Sequence, residues 1–315
     1  MKIRFLIVPV ACILAGVASA ADAQLLRLVM PDAKVVSGID FDRVKTTPFG
    51  RFVLSQLPAG DSGFREFVAV TGFDPLQDIH EVVMASPADA QKKSGLLLVR
   101  GRFDGERILT LFKAEGKTVE MYGGVSILSS GHNAHGIADA LAFLDSSTVA
   151  AGDIASVRGA IDRRSSSAGI DPALADKISR VSANQDAWVF SIAPISAFAP
   201  VMHGKNVQGA LQGDLLKAIE QSSGGIKFGN TIEINGELTA RTDKDASSLA
   251  DVVKFFANMA SMQGSGGEAG QLAALLHSLT VNAQANAVKL SVSIPENDLE
   301  ALIKLSHGSA RPPRI

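Results

Sequence analysis

The stretch Leu279–Ile294, L-T-V-N-A-Q-A-N-A-V-K-L-S-V-S-I, sets the fold class. Up to Ala283 its apolar residues fall on odd numbers, and from Val288 onward on even ones. A two-residue loop at Ala285-Asn286 reconciles the two patterns. It opposes Ala283 to Val288, Val281 to Leu290 and Leu279 to Val292, all apolar on one face. Thr280, Asn282, Lys289, Ser291 and Ser293 then point the other way, so the hairpin has one dry face and one wet face. The sequence predicts an antiparallel sheet.

Just upstream, Thr231–Arg241 carries the hairpin dipeptide Asn235-Gly236. A loop there would oppose Ile234 to Glu237 and Ile232 to Thr239, mixing the faces. The alternation Ile232, Ile234, Gly236, Leu238, Ala240 runs unbroken, which predicts one long strand instead. Between these segments lies the clearest helix, Lys244–Met262. Thr242 and Asp245 have capping-box spacing, and Leu249, Val252, Val253, Phe256, Ala257 and Met259 form an apolar stripe at helical spacing. The stripe reads as core packing.

The same order of elements precedes this region. A first half opens with a strand at Lys34–Phe41, then helical sequence from about Pro48 to Val70. It continues with the strand Ile79–Ala85, the strand Leu96–Phe103 and the helix Gly105–Ala114. Strand residues at Leu141–Asp153 and a helix at Ile154–Arg163 close it. A second half opens with a strand at Ala187–Ile192, then helical sequence from about Ile195 to Ser222. It closes with the hairpin above and a helix at Pro295–Leu305. Arg163–Gly169 is polar and turn-rich, and leads into a short helix at Asp171–Arg180, with Asp171 as N-cap and Pro172 first in the helix.

The expected fold is α+β, two similar halves, each a mainly antiparallel sheet covered on one face by helices. The expected boundaries are a leader at 1–23, a first repeat at 24–164 and a linker with a short helix at 165–184. A second repeat at 185–308 and a flexible tail at 309–315 complete the chain, with a loop at Gln263–Gly270.

Residues 1–23 read as a cleavable export signal. Lys2 and Arg4 precede the apolar stretch Phe5–Val17, and the small residues Ala18-Ser19-Ala20 or Ala21-Asp22-Ala23 follow, with cleavage after Ala20 or Ala23. The expected location is periplasmic or secreted. The one cysteine, Cys12, lies inside this stretch. Pro9-Val10-Ala11 precede it and the apolar run continues past it, which argues against lipid attachment. A chain cut at either point contains no cysteine, which excludes disulfides, thiolate metal sites and cysteine nucleophiles. No later segment is apolar enough to span a bilayer.

Composition narrows the function further. The 315 residues are 46% hydrophobic and 20% charged, which excludes intrinsic disorder. Thirty basic residues balance 32 acidic ones, which argues against a nucleic-acid partner. Aromatics are 15 Phe with one Tyr and one Trp, a core-filling set poor in rings suited to stacking at a wet surface.

Catalytic signatures are missing. Gly116-Lys117-Thr118 has Leu111 where a phosphate-binding loop needs Gly, and it lies between a helix and a following strand, so it reads as a turn. Neither a dinucleotide fingerprint, a nucleophile elbow nor a zinc-protease motif occurs. His132 and His135, with Asp139 or His80 as a third ligand, are the metal candidates, in a glycine-rich loop where solvated histidines are the plainer reading. Asp40 and Asp42 lie two apart near the end of the first strand, as an acid–base or cation pair or, more plainly, a solvated face with a helix cap. Asp74-Pro75 and Asp78 read as a helix stop before the strand at Ile79. His203, His277 and His307 stand alone. No catalytic residue and no cofactor is expected.

The phrases Thr71–Val83 (T-G-F-D-P-L-Q-D-I-H-E-V-V) and Leu96–Asp104 (L-L-L-V-R-G-R-F-D) carry a resemblance. With Gly236–Ala246 and Val288–Pro295, the chain resembles uncharacterised secreted bacterial proteins of acidobacterial type. The resemblance implies an exported two-repeat protein and transfers no catalytic residue. Together these readings point to a non-enzymatic exported protein that binds or scaffolds through a sheet face or inter-repeat groove. Its partner would be a protein or an apolar small molecule. The alternatives are a periplasmic carrier of an apolar, lipid-like ligand and a metal-dependent hydrolase on His132, His135 and Asp139.

Overall fold

The computed structural model describes residues 21–55, 62–88, 94–114, 116, 118–129, 140–166, 168–194, 216–263 and 278–300. The elements begin with α1 (Ala23–Leu28), β1 (Val35–Asp40), α2 (Phe41–Thr46), α3 (Pro48–Ser55), α4 (Ser62–Thr71) and α5 (Pro75–Asp78). Then come β2 (Ile79–Ser86), β3 (Leu96–Gly101), α6 (Gly105–Ala114), β4 (Thr118–Tyr122), β5 (Val125–Ser129), β6 (Ala140–Phe143) and β7 (Thr148–Gly152). The chain continues through α7 (Ile154–Arg163), α8 (Pro172–Ser182), β8 (Ala187–Ser191), β9 (Ile219–Lys227) and β10 (Thr231–Ala240). It ends with α9 (Asp243–Gln263), β11 (Thr280–Gln284) and β12 (Ala287–Pro295).

All twelve strands join one antiparallel sheet in the order β11-β12-β10-β9-β8-β1-β2-β3-β7-β6-β5-β4. The α+β class and the antiparallel pairing are as expected, but there is one sheet where two were expected. The reason is the pairing of β1 with β8, which sets Val36 opposite Phe190 and Gly38 opposite Trp188.

Register fixes the faces, because residues directly opposite in an antiparallel pair share a side of the sheet. On the front face, one row runs Trp188, Gly38, Val83, Leu98, Ala150, Ala142, Ile127. These residues are buried under α1, α7 and α8, whose Leu25, Val157 and Ile178 complete the core. Leu25, Leu98, Ile127 and Ile178 are fully buried, each contributing about 1.5–3 kcal/mol by leaving water. The rear face carries Leu238, Val288, Val281 and Leu290, packed against Ala246, Leu249 and Ala250 of α9. Phe143 also faces the rear, opposite Val149, and meets Phe103 just before α6. Helices therefore lie on both faces, where one covered face was expected.

Local chemistry explains the helix starts. Asp40, Asp153 and Asp171 each accept a hydrogen bond from the backbone N–H three residues on, capping α2, α7 and α8. The Thr242 hydroxyl takes the Asp245 N–H at 3.1 Å and donates to the Asp245 carboxylate at 2.9 Å, as the capping spacing predicts. Strand β10 runs unbroken through Asn235-Gly236, and β11 and β12 pair Val281 with Leu290 and Ala283 with Val288, both as expected.

Other expectations are corrected. Residues 219–222, expected as helix, open strand β9; of that expected helix, 195–215 lie outside the described residues. Pro295 ends β12, and helix follows from Glu296. Helix α1 begins at Ala23, the last residue of the expected leader, and continues to Leu28, where the sequence suggested no element. Gly169, in the polar, turn-rich seam, packs on the chain at Arg27, where an added Cβ would lie 2.5 Å from the Arg27 carbonyl oxygen. Residues 1–20, most of the expected leader, and the expected tail at 309–315 lie outside the described residues.

Candidate functional site: a polar groove beside helix α8

Past β8 the front face changes character. The row that begins Leu96, Ala85, Val36, Phe190 continues as Ser223, Glu237, Lys289, Asn282. The neighbouring row passes from Trp188 to Gly225, Asn235, Ser291 and Thr280. Both turn polar at the same line, between β8 and β9. Helix α8 and the turn after it stand along that line as a wall, with Arg180, Asn184 and Gln185 facing the polar strands. The groove between wall and sheet encloses about 410 Å3.

The wall is fixed from below. The Arg43 guanidinium donates to the carbonyls of Ala183 at 3.0 Å and Gln185 at 3.1 Å. It also lies 3.5 Å from the Asp186 carboxylate, which accepts the Phe228 N–H at 2.6 Å. The Gln185 side chain rests over Gly225, where a β-carbon would fall 2.4 Å from Cγ. Its Oε1 is buried and has no hydrogen-bond partner among the described residues. On the floor, Glu237 and Lys289 are register partners of opposite charge.

Hydrogen-bond donors and acceptors of both kinds converge here, with two cationic side chains and one carboxylate. The lining holds no histidine and no cysteine, and Glu237 is its single acidic group. The arrangement suits holding a polar molecule.

The residues singled out from the sequence lie elsewhere. His132, His135 and Asp139 fall outside the described residues, as do His203, His277 and His307. His80 Nδ1 lies 2.9 Å from both carboxylate oxygens of Asp42. Asp42 sits in α2, not on the strand, so it shares no strand face with Asp40, which caps that helix. Asp74 caps the short α5, and Asp78 accepts from the Asp74 N–H and from Arg102. Gly116, read from sequence as part of a turn, has φ +73°, in the left-handed region. Among the described residues no three His, Cys, Asp or Glu side chains are grouped to hold a metal ion, and no helix is long and apolar enough to cross a membrane.

Sequence reading identified the floor residues Thr280, Asn282, Lys289 and Ser291 as a wet face. It missed the wall, because Arg180–Gln185 meets them only through the β8–β9 pairing.

No family model and no curated protein matches the chain. Among solved structures, crystal form III of TP0453 shares the fold, with a TM-score of 0.50 at 10% identity over 88% of this chain and 96% of that one. Crystal form I of TP0453 aligns with a TM-score of 0.47 at 11% identity, over 89% of this chain and 96% of that one.

Proposed function

We propose that this chain is an exported, non-enzymatic binding protein whose ligand lies in the groove between α8 and strands β9–β12. The observation that carries the reading is the line at which both front rows turn polar, with a buried, unpartnered acceptor, Gln185 Oε1, at its edge. Buried polar atoms normally find partners. A small polar ligand with a donor group would supply one.

The same reading takes the chain as two repeats, with the groove in the second, beside the helix that joins them. The order β1-β2-β3-β7-β6 reappears as β8-β9-β10-β12-β11, and α6 and α9 follow the corresponding third strands. The repeated order supports a duplicated unit with its ligand beside the joining helix.

The test is native and denaturing mass spectrometry of the protein purified from its export compartment. The expected result is an added mass released on denaturation and lost in the Glu237→Lys variant. A bare mass, or turnover of substrates in a hydrolase panel, overturns the reading.

A second reading, carriage of an apolar ligand, draws on α9. Val252, Phe255, Phe256 and Met259 recur at helical spacing on its outer side, with Phe255 63% exposed. An added mass of lipid that survives Glu237→Lys and is lost on Phe255→Ser would favour it.

A further inference from the structure

Two bonds satisfy the small-residue pattern for leader removal, after Ala20 and after Ala23. The structure treats the three residues between them as part of the folded core. Ala21 is 7% exposed, and its N–H donates to the Ser182 hydroxyl of α8 at 2.8 Å. The Asp22 N–H donates to the Glu81 carboxylate of β2 at 3.1 Å. The Asp22 side chain caps α1 through the Gln24 N–H at 2.7 Å and lies 2.7 Å from the Arg100 guanidinium of β3. Cutting after Ala23 removes all of these contacts and leaves Glu81 and Arg100 without Asp22.

We propose that the export leader is cut between Ala20 and Ala21, and that the α-ammonium group freed at Ala21 becomes a structural cation, held by Ser182 and paired with Glu81. Hydrolysis adds one water across that amide. Ala20 leaves with a carboxylate, and Ala21 keeps the nitrogen, which takes up a proton near neutral pH.

Reach and charge both support the pairing. Neighbouring backbone nitrogens are less than about 4 Å apart, so the Ala21 nitrogen lies within roughly 7 Å of the Glu81 oxygen bonded to Asp22. Carboxyl groups outnumber cations in the surroundings. Asp40 and Glu81 are register partners at this end of the front face, with Asp22 above them and Asp186 beside Asp40. Four carboxyl groups thus face two guanidiniums, Arg43 and Arg100. Burial pushes the Glu81 carboxyl up to about 7; the hydrogen bond from the Asp22 N–H opposes the rise, the Asp22 and Asp40 charges add to it, and Arg100 opposes it. A new cation reverses that balance, as a nearby opposite charge favours the ionised carboxylate.

This inference rests on the export reading, and the experiment separates the two. The full chain is expressed with its leader in a bacterial host, and the periplasmic protein is analysed by intact mass and N-terminal sequencing. The expected sequence begins Ala-Asp-Ala-Gln, from Ala21. A start at Gln24 overturns the inference and leaves export standing; a retained leader in a cytoplasmic product overturns both.

The cation is tested by urea unfolding against pH, comparing the processed chain with one that keeps Ala18-Ser19-Ala20 ahead of Ala21. Titration of Glu81 should fall by at least about one pH unit in the processed chain. Glu81→Gln should abolish the difference between the two. Identical profiles in both chains would overturn the ion pair.

Discussion

The indole of Trp188 occupies the space that a β-carbon on Gly38 would fill, its Cζ2 2.5 Å from that point. The two residues are register partners across the β1–β8 seam. An aromatic ring laid over a bare backbone lets the two central strands approach while Trp188 stays buried, at 5% exposure. Gly38→Ala forces the ring to move, and overpacking of this kind costs about 1–3 kcal/mol. Urea unfolding should show that loss. Trp188 is the chain's single tryptophan, so its emission should report the displacement in the folded protein. An unchanged midpoint and spectrum would contradict the arrangement.

Glu81 gives the stability of the full chain a neutral-side slope. Its carboxyl rises from 4.5 to about 7 on folding, chiefly through burial. The folded state therefore holds a proton that the unfolded state has released, and stability declines as pH climbs from about 4.5 to about 7. Glu81→Gln keeps an oxygen to accept the Asp22 N–H and removes the charge. The variant should lose the decline and gain about 1–2 kcal/mol at pH 7, allowing for the carboxyl's partial exposure to solvent. Chemical denaturation at five or six pH values decides it.

Asp153 acts on the acid side. Burial would raise its carboxyl, but the Ser156 hydroxyl and N–H, with the Gly95 and Ala155 N–H groups, hold it below its ordinary value. Its contribution is present above pH 3.8 and disappears as pH falls through the depressed folded value. Asp153→Ala removes the cap of α7 and should cost about 1–2 kcal/mol at pH 7. It should also flatten the loss of stability below pH 4. A variant that loses stability in acid as steeply as the parent would show that other carboxylates dominate.

The β11–β12 turn stores strain that can be relieved. Ala285 has φ +50°, in the left-handed region that disfavours any residue with a β-carbon. That conformation costs about 1–2 kcal/mol. Glycine relieves it but gives back roughly 0.5–1 kcal/mol through the freer unfolded chain. Relief wins, and Ala285→Gly should stabilise the protein by about 0.5–1 kcal/mol, raising its melting temperature. A fall in melting temperature would refute the assignment.

The sequence made some of this legible for physical reasons. Leu279–Ile294 and Thr231–Ala240 have one wet and one apolar face, so their alternation names both register and face. Asp153, Asp171 and Thr242 mark helix starts because their oxygens satisfy N–H groups that nothing else can reach. Strand β9, I-E-Q-S-S-G-G-I-K, was opaque for the opposite reason. Its middle residues, Ser222 to Gly225, floor the groove on one face and present only a serine and a glycine to the other, so no apolar period survives. Helix α1 was hidden because its leucines continue the composition of a leader. The groove itself needed both strand β9 and the distant wall at Arg180–Gln185.

The seam between β1 and β8 also sets an order of assembly. Apart from the outer edge of β1, strands β1 to β7 pair only among themselves, so that part of the sheet can form while residues beyond Arg163 are still being synthesised. Until Ala187–Ser191 arrives, the outer edge of β1 has no neighbour, and an open strand edge invites pairing with other chains. In the interval between those two moments that edge is open to such pairing. A slower passage through residues 164–187 would lengthen that exposure without altering one contact of the finished protein.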